Sequence, residues 1–265
     1  RVLFRSDAYD RAWSRFRSDA AIAPLAQAPG EVRMPQESAE LAALYRTLHD
    51  VTEGAVTPLV GASLERLGYR ADGVVDTGLA PEAPPAWDAV LRWEGTTIRT
   101  TAPLVLDVGA AGKGQLVDLV GDVLDAHGVH DRVVDASGDL RHAGSGDQGR
   151  ATRVALEDPR ALGHAIGVVE VSNEAFCASA GTRRRWAGGH HILDGRTGAP
   201  ADDVIGTWVI AERAMVADAM ATALSFAPVG LLARHWSFEH ARMYAGGQVE
   251  ATGRFAAGLH VRKVA

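Results

Sequence analysis

The residues best suited to chemistry begin in "LDVGAAGKGQLVD", where an apolar run ends at Asp107 and a glycine-rich turn carries Lys113. Glycines let backbone amides approach a ligand closely, and the N-terminus of a following helix favours an anion. Lys113 adds a full positive charge. The segment therefore predicts an anion-binding turn, with a tight strand-to-helix turn that binds nothing as the alternative.

A second candidate site is "GGHHILDGRTGAP", in which His191 and Asp194 lie three residues apart among glycines. Backbone freedom of this kind serves either a turn or a close approach to a bound molecule. A hairpin turn explains Gly195 and Gly198 but not the adjacent histidines. A zinc half-site is the less favoured alternative, because no HExxH spacing and no third ligand accompany the two histidines.

Asp218 and Thr222 form the third candidate site, because a spacing of four places both on one face of the helix predicted for "ADAMATAL". A carboxylate among alanine, methionine and leucine side chains is unfavourable unless it has a partner. Asp218 therefore either caps this helix or holds a cation. A carboxylate with a hydroxyl oxygen is a ligand set that Mg²⁺ accepts.

Hydrophobic spacing predicts the elements that must position these residues. It predicts helices over three stretches, residues 38–50, 114–127 and 215–228. The middle third predicts strands at "RVVD", "LRHAG", "TRVALEDP" and "HAIGVVEVS", and residues 80–88 predict a proline-rich surface loop. Because strands and helices do not alternate regularly, the pattern favours an α+β fold with mixed or antiparallel sheets and flanking helices.

Composition limits the classes of function. A net charge of −6 with scattered signs offers no basic face for nucleic acid, and no run of about 18 apolar residues predicts a membrane span. Cys177 is the only cysteine, which excludes an intrachain disulfide and a cysteine-based zinc site. The sequence starts at Arg1, so a leader or lipid anchor can lie outside it, and both a cytoplasmic and a cell-envelope location stay open.

Eight short motifs follow one another in the order "SRFRSDAAIAPL", "TEGAVTPLVGASLERLGY", "LDVGAAGKGQLVD", "VDASGDLRHAG", "ALEDP", "CASAGTRRRW", "HHILDGRTGAP" and "ADAMATAL". This order, over nearly the whole chain, resembles that of the ApbE family of flavin transferases, the FAD:protein FMN transferases. The resemblance implies one ApbE-like domain of T-fold-like architecture over residues 1–265. We expect the N-terminal Met-Gly-Thr strand that is typical of the family to lie outside this sequence.

The resemblance implies several residues that contact FAD. The family's Asp-x-Gly-x-x-Ala-Lys-Gly loop falls on Asp107 to Gly114, which implies FAD contacts for Asp107 and Lys113. Phe16 matches an aromatic position that packs against the isoalloxazine ring. Two further segments match positions that line the flavin site, and the residues implied there are Ala55, Val56, Thr57 and Ile192.

The resemblance also implies a metal site and a reaction. The backbone carbonyl of Ala110 and the side chains of Asp218 and Thr222 match the family's Mg²⁺ ligands. The implied reaction transfers the FMN moiety of FAD to a Thr or Ser hydroxyl, in a flavinylation motif of an acceptor protein, and releases AMP. This is phosphoryl transfer, in which positioning and charge stabilisation matter most. The hydroxyl needs a base, and His191 or Asp194 is the implied one.

Departures from the family pattern bear on activity more than on flavin binding. Gly112 replaces an alanine, Ala180 replaces a hydroxyl residue, and Gly195 replaces a proline, which we expect to loosen the turn that aims Asp194. Two other functions therefore stay open. One is FAD hydrolysis to FMN and AMP, with water as the acceptor at the same metal site. The other is a flavin-binding or storage protein with little turnover.

Overall fold

The computed structural model of this 265-residue protein describes residues 2–145, 151–186 and 189–260. Contacts divide the chain into two compact units that alternate along the sequence. The first unit comprises Leu3–Ala110 and Arg184–Pro200, and the second consists mainly of Ala111–Arg183 and Ala201–Ala265. Throughout the described ranges, every strand pair is antiparallel. The single ApbE-like domain over residues 1–265 stays a prediction.

The first unit is built from helices around a three-stranded sheet. The sheet has the strand order β1-β5-β4, with β1 at Glu31–Arg33, β4 at Leu91–Glu94 and β5 at Thr97–Thr100. The helices are α1 (Val2–Trp13), α2 (Ser38–Val51), α3 (Gly61–Arg66) and α4 (Trp87–Val90). Two ribbons are also present, β2 (Tyr69–Arg70) with β3 (Gly73–Val74) and β11 (Arg185–Trp186) with β12 (Gly189–His190).

The helix predicted over residues 38–50 is confirmed as α2. Its apolar positions at helical spacing are all buried, namely Leu41, Leu44, Tyr45 and Leu48. The ring centroids of Trp13 and Tyr45 lie 5.3 and 6.0 Å from that of Trp93 in β4. These aromatic contacts attach α1 and α2 to the three-stranded sheet.

Residues 80–88 are only in part the surface loop that the prolines predict. Residues 80–86 are mostly exposed, but Trp87 is 4% exposed and begins α4. The ring centroid of Trp87 lies 5.2 Å from that of His49, and the Arg46 guanidinium lies 5.4 Å from the centre of the indole ring. Burial of this one aromatic side chain ends the loop.

The second unit contains a six-stranded sheet with the order β15-β14-β13-β10-β7-β6. Its strands are β6 (Arg132–Asp135), β7 (Leu140–Ala143), β10 (Ala175–Ala180), β13 (Val204–Ala211), β14 (Glu239–Tyr244) and β15 (Val249–Ala251). A separate ribbon pairs β8 (Thr152–Glu157) with β9 (Ala165–Val171). The helices are α5 (Gly112–Asp125), α6 (Ala214–Ala223), α7 (Val229–Leu232) and α8 (Gly253–Gly258).

One hydrophobic core joins the sheet, the ribbon and α8 of the second unit. Its largest side chains include Leu156, Ile166, Phe176, Trp208, Met243 and Phe255.

The strands predicted in the middle third of the chain are confirmed, since β6 to β9 all lie in that region. In the described part of the chain, no helix has the length and apolarity that crossing a membrane requires.

Helix α6 is shorter than predicted, because it ends at Ala223 rather than near Pro228. The amides of Ser225 and Phe226 donate to carbonyls three residues back, which tightens the chain into turns. Pro228 then precedes α7, a position at which its missing N–H does no harm. The prediction of one helix over residues 215–228 is therefore wrong in its last third.

Candidate functional site

Helices α5 and α6 of the second unit cap each other. Asp218, in α6, accepts a hydrogen bond of 2.9 Å from the backbone N–H of Gly114 in the first turn of α5. Asp118, in α5, accepts hydrogen bonds of 3.0 Å from the N–H groups of Ala214 and Met215, the first two residues of α6. The amides at the start of a helix have no acceptor within it, so each carboxylate stabilises the neighbouring helix.

Gly114 allows this close packing. A Cβ atom at position 114 would lie 2.2 Å from the carbonyl oxygen of Ala214 and 2.8 Å from the Cβ of Asp218. At this position, therefore, the glycine of the predicted anion-binding turn is explained by helix packing. Asp218 is not a cap for its own helix, which was one of the alternatives, because it is the fifth residue of α6 and bonds to α5.

Lys113, the second residue of α5, forms an ion pair with Asp139. Its Nζ lies 2.6 Å from Asp139 Oδ2, and the Asp139 side chain is 1% exposed whereas that of Lys113 is 33% exposed. Asp139 Oδ1 accepts a hydrogen bond of 3.3 Å from the N–H of Ala178. Burial raises the pKa of Asp139, and the Lys113 ammonium opposes that shift. Sequence reasoning did not single out Asp139, because "VDASGDLRHAG" predicts only a turn between two strands.

The Cys177 thiol lies beside this pair and is fully buried. Its Sγ lies 3.5 Å from the carbonyl oxygen of Ala214, to which the thiol donates. Burial raises the pKa of Cys177 well above its ordinary value, and the charges of Asp139 and Asp218 add to the shift. The thiol therefore stays protonated and is a poor nucleophile.

Asp218 and Thr222 lie one turn apart in α6, as their spacing predicts. Across the described ranges, no group of three or more His, Cys, Asp or Glu side chains is arranged to hold a metal ion. The donors that α6 offers are one carboxylate and one hydroxyl. Both are hard oxygen donors, and Mg²⁺ keeps several of its waters, so this sparse set fits Mg²⁺ better than a metal that needs an all-protein cage.

In the first unit, Arg15 connects two residues that the sequence predicts as FAD contacts. Its Nε donates to Asp107 Oδ2 at 2.7 Å, while the N–H of Gly109 donates to Asp107 Oδ1 at 2.7 Å. The Arg15 guanidinium lies 4.2 Å from the ring centre of Phe16. Its side chain is 3% exposed, so it is a fixed support for both neighbours. The motif "SRFRSDAAIAPL" does not by itself indicate a role for Arg15.

Three aromatic rings lie next to each other beside Arg15. The ring of Phe16 meets that of Tyr69 edge-on at 5.4 Å, and Tyr69 stacks on Trp186 at 5.8 Å, both measured between centroids. Phe16 is 41% exposed. An accessible ring with rigid aromatic support suits a flat, conjugated ligand.

The segments "EGAVTP" and "HHILDGRTG" contact each other within the first unit. The N–H of Gly195 donates to the carbonyl oxygen of Ala55 at 2.8 Å. A Cβ at position 195 would lie 2.4 Å from Gly54 O and 2.5 Å from Thr57 Cγ2. A proline has no N–H to donate. The expectation that Gly195 loosens this turn is therefore wrong, because the glycine fixes it against Ala55.

The other residues of "EGAVTP" have structural roles. Ala55 and Val56 are 0 and 3% exposed. Thr57 Oγ1 accepts a hydrogen bond of 3.3 Å from the N–H of Leu59 and caps a short 3₁₀ turn at Pro58–Val60. These contacts explain the segment as scaffold, and its flavin contacts stay a prediction.

Asp194 forms an ion pair and hydrogen bonds with Arg196. Arg196 Nη2 donates to Asp194 Oδ2 at 2.6 Å, and the backbone N–H of Arg196 donates to Oδ1 at 2.9 Å. Burial alone would raise the pKa of Asp194, but the hydrogen bonds from Arg196 outweigh it and hold the pKa below its ordinary value. A carboxylate stabilised in this way is a weak base, so His191 is the better suited of the two predicted bases.

The residues on either side of His191 have structural contacts of their own. His190 Nδ1 accepts a hydrogen bond of 3.2 Å from the N–H of Ile192, which closes the chain around His191. Ile192 is 5% exposed. His190 therefore has a local structural role, and the position of Ile192 beside a flavin stays a prediction.

A profile of the ApbE family matches residues 2–244 of this sequence. The chain belongs to the ApbE family. This assignment agrees with the order of the eight motifs, and it covers both units.

Two ApbE relatives bear the name FAD:protein FMN transferase. The protein of Rhodobacter capsulatus is 33% identical over 214 residues, which cover 75% of this chain and 39% of the relative. The protein of Vibrio cholerae is 27% identical over 227 residues, which cover 81% of this chain and 66% of the relative. This chain therefore spans less than two thirds of the length of either relative.

Solved ApbE structures have the same fold. The ApbE protein of Thermotoga maritima has a TM-score of 0.82 at 22% identity, covering 98% of this chain and 90% of that chain. The flavin transferase ApbE of Vibrio cholerae has a TM-score of 0.79 at 21% identity, with coverages of 97 and 89%. The predicted α+β, ApbE-like architecture is thereby confirmed.

Proposed function

We propose that this chain transfers the FMN moiety of FAD to a hydroxyl of an acceptor protein and releases AMP. The observation that carries the proposal is membership of the ApbE family over residues 2–244, together with relatives named FAD:protein FMN transferases. We also propose that the reaction uses Mg²⁺ and that the acceptor residue is a Thr or Ser. The motif resemblance supports both the use of Mg²⁺ and the Thr or Ser acceptor. The oxygen donors of α6 support the use of Mg²⁺ only.

For the second unit, we propose that the start of α5 stabilises the pyrophosphate of FAD. A helix N-terminus and Lys113 both favour negative charge there. Asp218 and Thr222 would hold Mg²⁺. When bound, Mg²⁺ supplies charge neutralisation at the phosphoryl group. Lys113 contributes a fixed positive charge to the same end.

For the first unit, we propose that Asp107, Phe16 and Ile192 contact FAD, and that His191 is the general base. The acceptor hydroxyl oxygen attacks the phosphorus of the FMN phosphate, while its proton passes to the His191 imidazole. The bond between that phosphorus and the bridging oxygen breaks, and AMP leaves with the electron pair. Asp194 is paired with Arg196, so it would orient the segment "HHILDGRTG" rather than accept the proton.

The test is incubation of the purified chain with FAD, Mg²⁺ and a peptide that carries one Thr in a flavinylation motif. We expect the peptide to gain the mass of FMN and AMP to appear in equal amount, and a Thr→Ala peptide to stay unmodified. Conversion of FAD to FMN and AMP without peptide modification would instead establish hydrolysis. FAD that stays bound and intact with Mg²⁺ present would establish a flavin-binding protein.

A further inference from the structure

We propose that Asp139 is a positioning residue that fixes the Lys113 ammonium at the first turn of α5, where it serves the pyrophosphate of FAD. The inference rests on the proposed function and deepens it. The observation that carries it is an ion pair of 2.6 Å between these two residues, in which the Asp139 side chain is buried.

Each member of the pair is unfavourable without the other. Lys113 is the second residue of α5, where the partial positive charge of the helix N-terminus disfavours a cation. The Asp139 side chain is 1% exposed, and a buried carboxylate without a cation is strongly destabilising. Two apolar residues would avoid both penalties. The pair is therefore poorly explained by stability alone.

Use of lysine at position 113 is itself unusual for this chain. Of its 27 lysine and arginine residues, only Lys113 and Lys263 are lysines, and Lys263 lies outside the described residues. The lysine ammonium is a compact charge with three donors on a flexible alkyl chain, whereas the arginine guanidinium is planar and rigid. Among the residues that the structure describes, Lys113 is the only lysine, and it directly precedes Gly114 in α5.

Asp139 comes from a rigid part of the backbone, so it can restrain the flexible lysine. The turn that precedes it is closed by a hydrogen bond of 2.9 Å from the N–H of Ala136 to the carbonyl oxygen of Asp139. Ser137 and Gly138 adopt positive φ angles of 59° and 100°. The N–H of Ala178, in β10, holds the other carboxylate oxygen. The backbone of Asp139 is thus fixed by its turn, and its carboxylate is held by Ala178 of β10.

The geometry leaves Lys113 able to serve an anion while it stays paired. An ammonium group has three N–H donors, and the ion pair with Asp139 occupies one side of it. The Lys113 side chain is 33% exposed, so it lies partly at the surface. Asp139 therefore limits the rotamers of Lys113 without removing its charge from the surface.

The first experiment is a double-mutant cycle on FAD affinity, measured by flavin fluorescence. We expect Lys113→Met and Asp139→Asn each to raise the Kd for FAD about tenfold or more, and the double variant to be no worse than Lys113→Met alone. Asp118→Asn is the matched control. It also alters a buried, paired aspartate of this unit, but one that caps α6, and it should leave the Kd within about twofold.

Additive losses in the double variant, or an unchanged Kd in Asp139→Asn, would overturn the inference. If Asp139→Asn does not fold, Asp139→Glu replaces it in the experiment. Glutamate keeps the negative charge but moves the carboxylate by one methylene. An unchanged Kd in that variant would overturn the inference as well. If the wild-type chain does not bind FAD, the proposed function fails too, and the cycle reveals this before any variant is compared.

The second experiment needs no ligand. Labelling lysine with ¹⁵N gives two side-chain ammonium groups, and Lys113→Met assigns the signal of Lys113. We expect that signal to be observable because the ion pair slows exchange with water, and to be lost in Asp139→Asn. A Lys113 signal that is equally strong in both proteins would show that Asp139 does not restrain the ammonium group.

Discussion

The Asp218 carboxylate accepts the backbone N–H of Gly114 at 2.9 Å, so one side chain of α6 fixes the first turn of α5. The same carboxylate is the proposed Mg²⁺ ligand. Loss of Asp218 therefore has two separate consequences, one for the metal and one for the position of Lys113 next to Gly114. Two substitutions distinguish them.

We expect Asp218→Asn to lower FMN transfer by about a hundredfold or more while the melting temperature changes little, because the amide oxygen still accepts from Gly114 but has no charge for Mg²⁺. Asp218→Ala should lose transfer and also the cap, which is worth about 1 kcal/mol, or about 2–4 °C for a protein of this size. Transfer at saturating Mg²⁺ and thermal unfolding measure the two effects. Wild-type transfer in Asp218→Asn would remove Asp218 from the metal site.

A second prediction concerns His191. If its imidazole accepts the acceptor's proton, the transfer rate falls as pH drops through about 6.5, where histidine ordinarily titrates. His191→Asn should flatten this acid limb and slow transfer about a hundredfold, with FAD affinity within a few fold of wild type. His190→Asn is the matched control, because asparagine can still accept from the N–H of Ile192. A surviving acid limb in His191→Asn would assign the base elsewhere.

A third prediction follows from the pKa of Asp194, which is lowered by Arg196 against the effect of burial. A carboxyl group with a lowered pKa in the folded state stabilises the protein above its unfolded pKa, near 4, and loses that contribution as pH falls. Asp194→Asn should therefore be less stable than wild type at pH 7, by up to about 1 kcal/mol, and the difference should shrink toward pH 3.

Urea unfolding of both proteins at several pH values measures this difference. Arg196→Gln removes the side-chain partner and should give the same trend. A stability difference that is constant from pH 7 to pH 3 would contradict the ion pair between Asp194 and Arg196.

A fourth prediction concerns Gly195, which the motif resemblance aligns with a proline of the family pattern. Gly195→Ala places a methyl group 2.4 Å from the carbonyl oxygen of Gly54, and overpacking of this kind typically costs about 1–3 kcal/mol. Gly195→Pro should destabilise the protein further, because it also removes the hydrogen bond to Ala55. Thermal unfolding measures both. Gly230→Ala is the control, since nothing lies within 4 Å of a Cβ there, and a stable Gly195→Pro protein would refute the packing argument.

Local sequence patterns predicted the elements well where one face is apolar. Helix α2 and the β6–β7 hairpin lie where spacing and turn residues place them. The end of α6 was predicted too late. The helix already ends in tight turns after Ala223, before Pro228, which is the residue that indicates a helix end in the sequence. Sequence periodicity therefore predicts that an element exists better than where it ends.

The candidate site was predicted only where a residue's type and spacing within its motif indicate a role. Lys113 and Asp218 stand in recognisable motifs, and the structure places Lys113 in the first turn of α5 and hydrogen-bonds the Asp218 carboxylate of α6 to that turn. Asp139 and Arg15 were missed because their burial depends on partners that are distant in sequence, such as Ala178 and Asp107. An acidic residue in a Gly-containing turn is ordinarily solvated, so only tertiary packing reveals that this one is not.

The interleaving of the two units has a consequence for synthesis on the ribosome. Strand β10 pairs with β7 soon after it is made, but its other neighbour, β13, emerges only after the chain has returned to the first unit through Arg184–Pro200. At roughly 5–20 residues per second, the nascent chain carries an unpaired β10 edge for a few seconds. An open strand edge is a template for pairing with other chains. Fragments that end between Ala180 and Val204 are therefore expected to aggregate, whereas fragments that extend beyond Ala211 cover that edge.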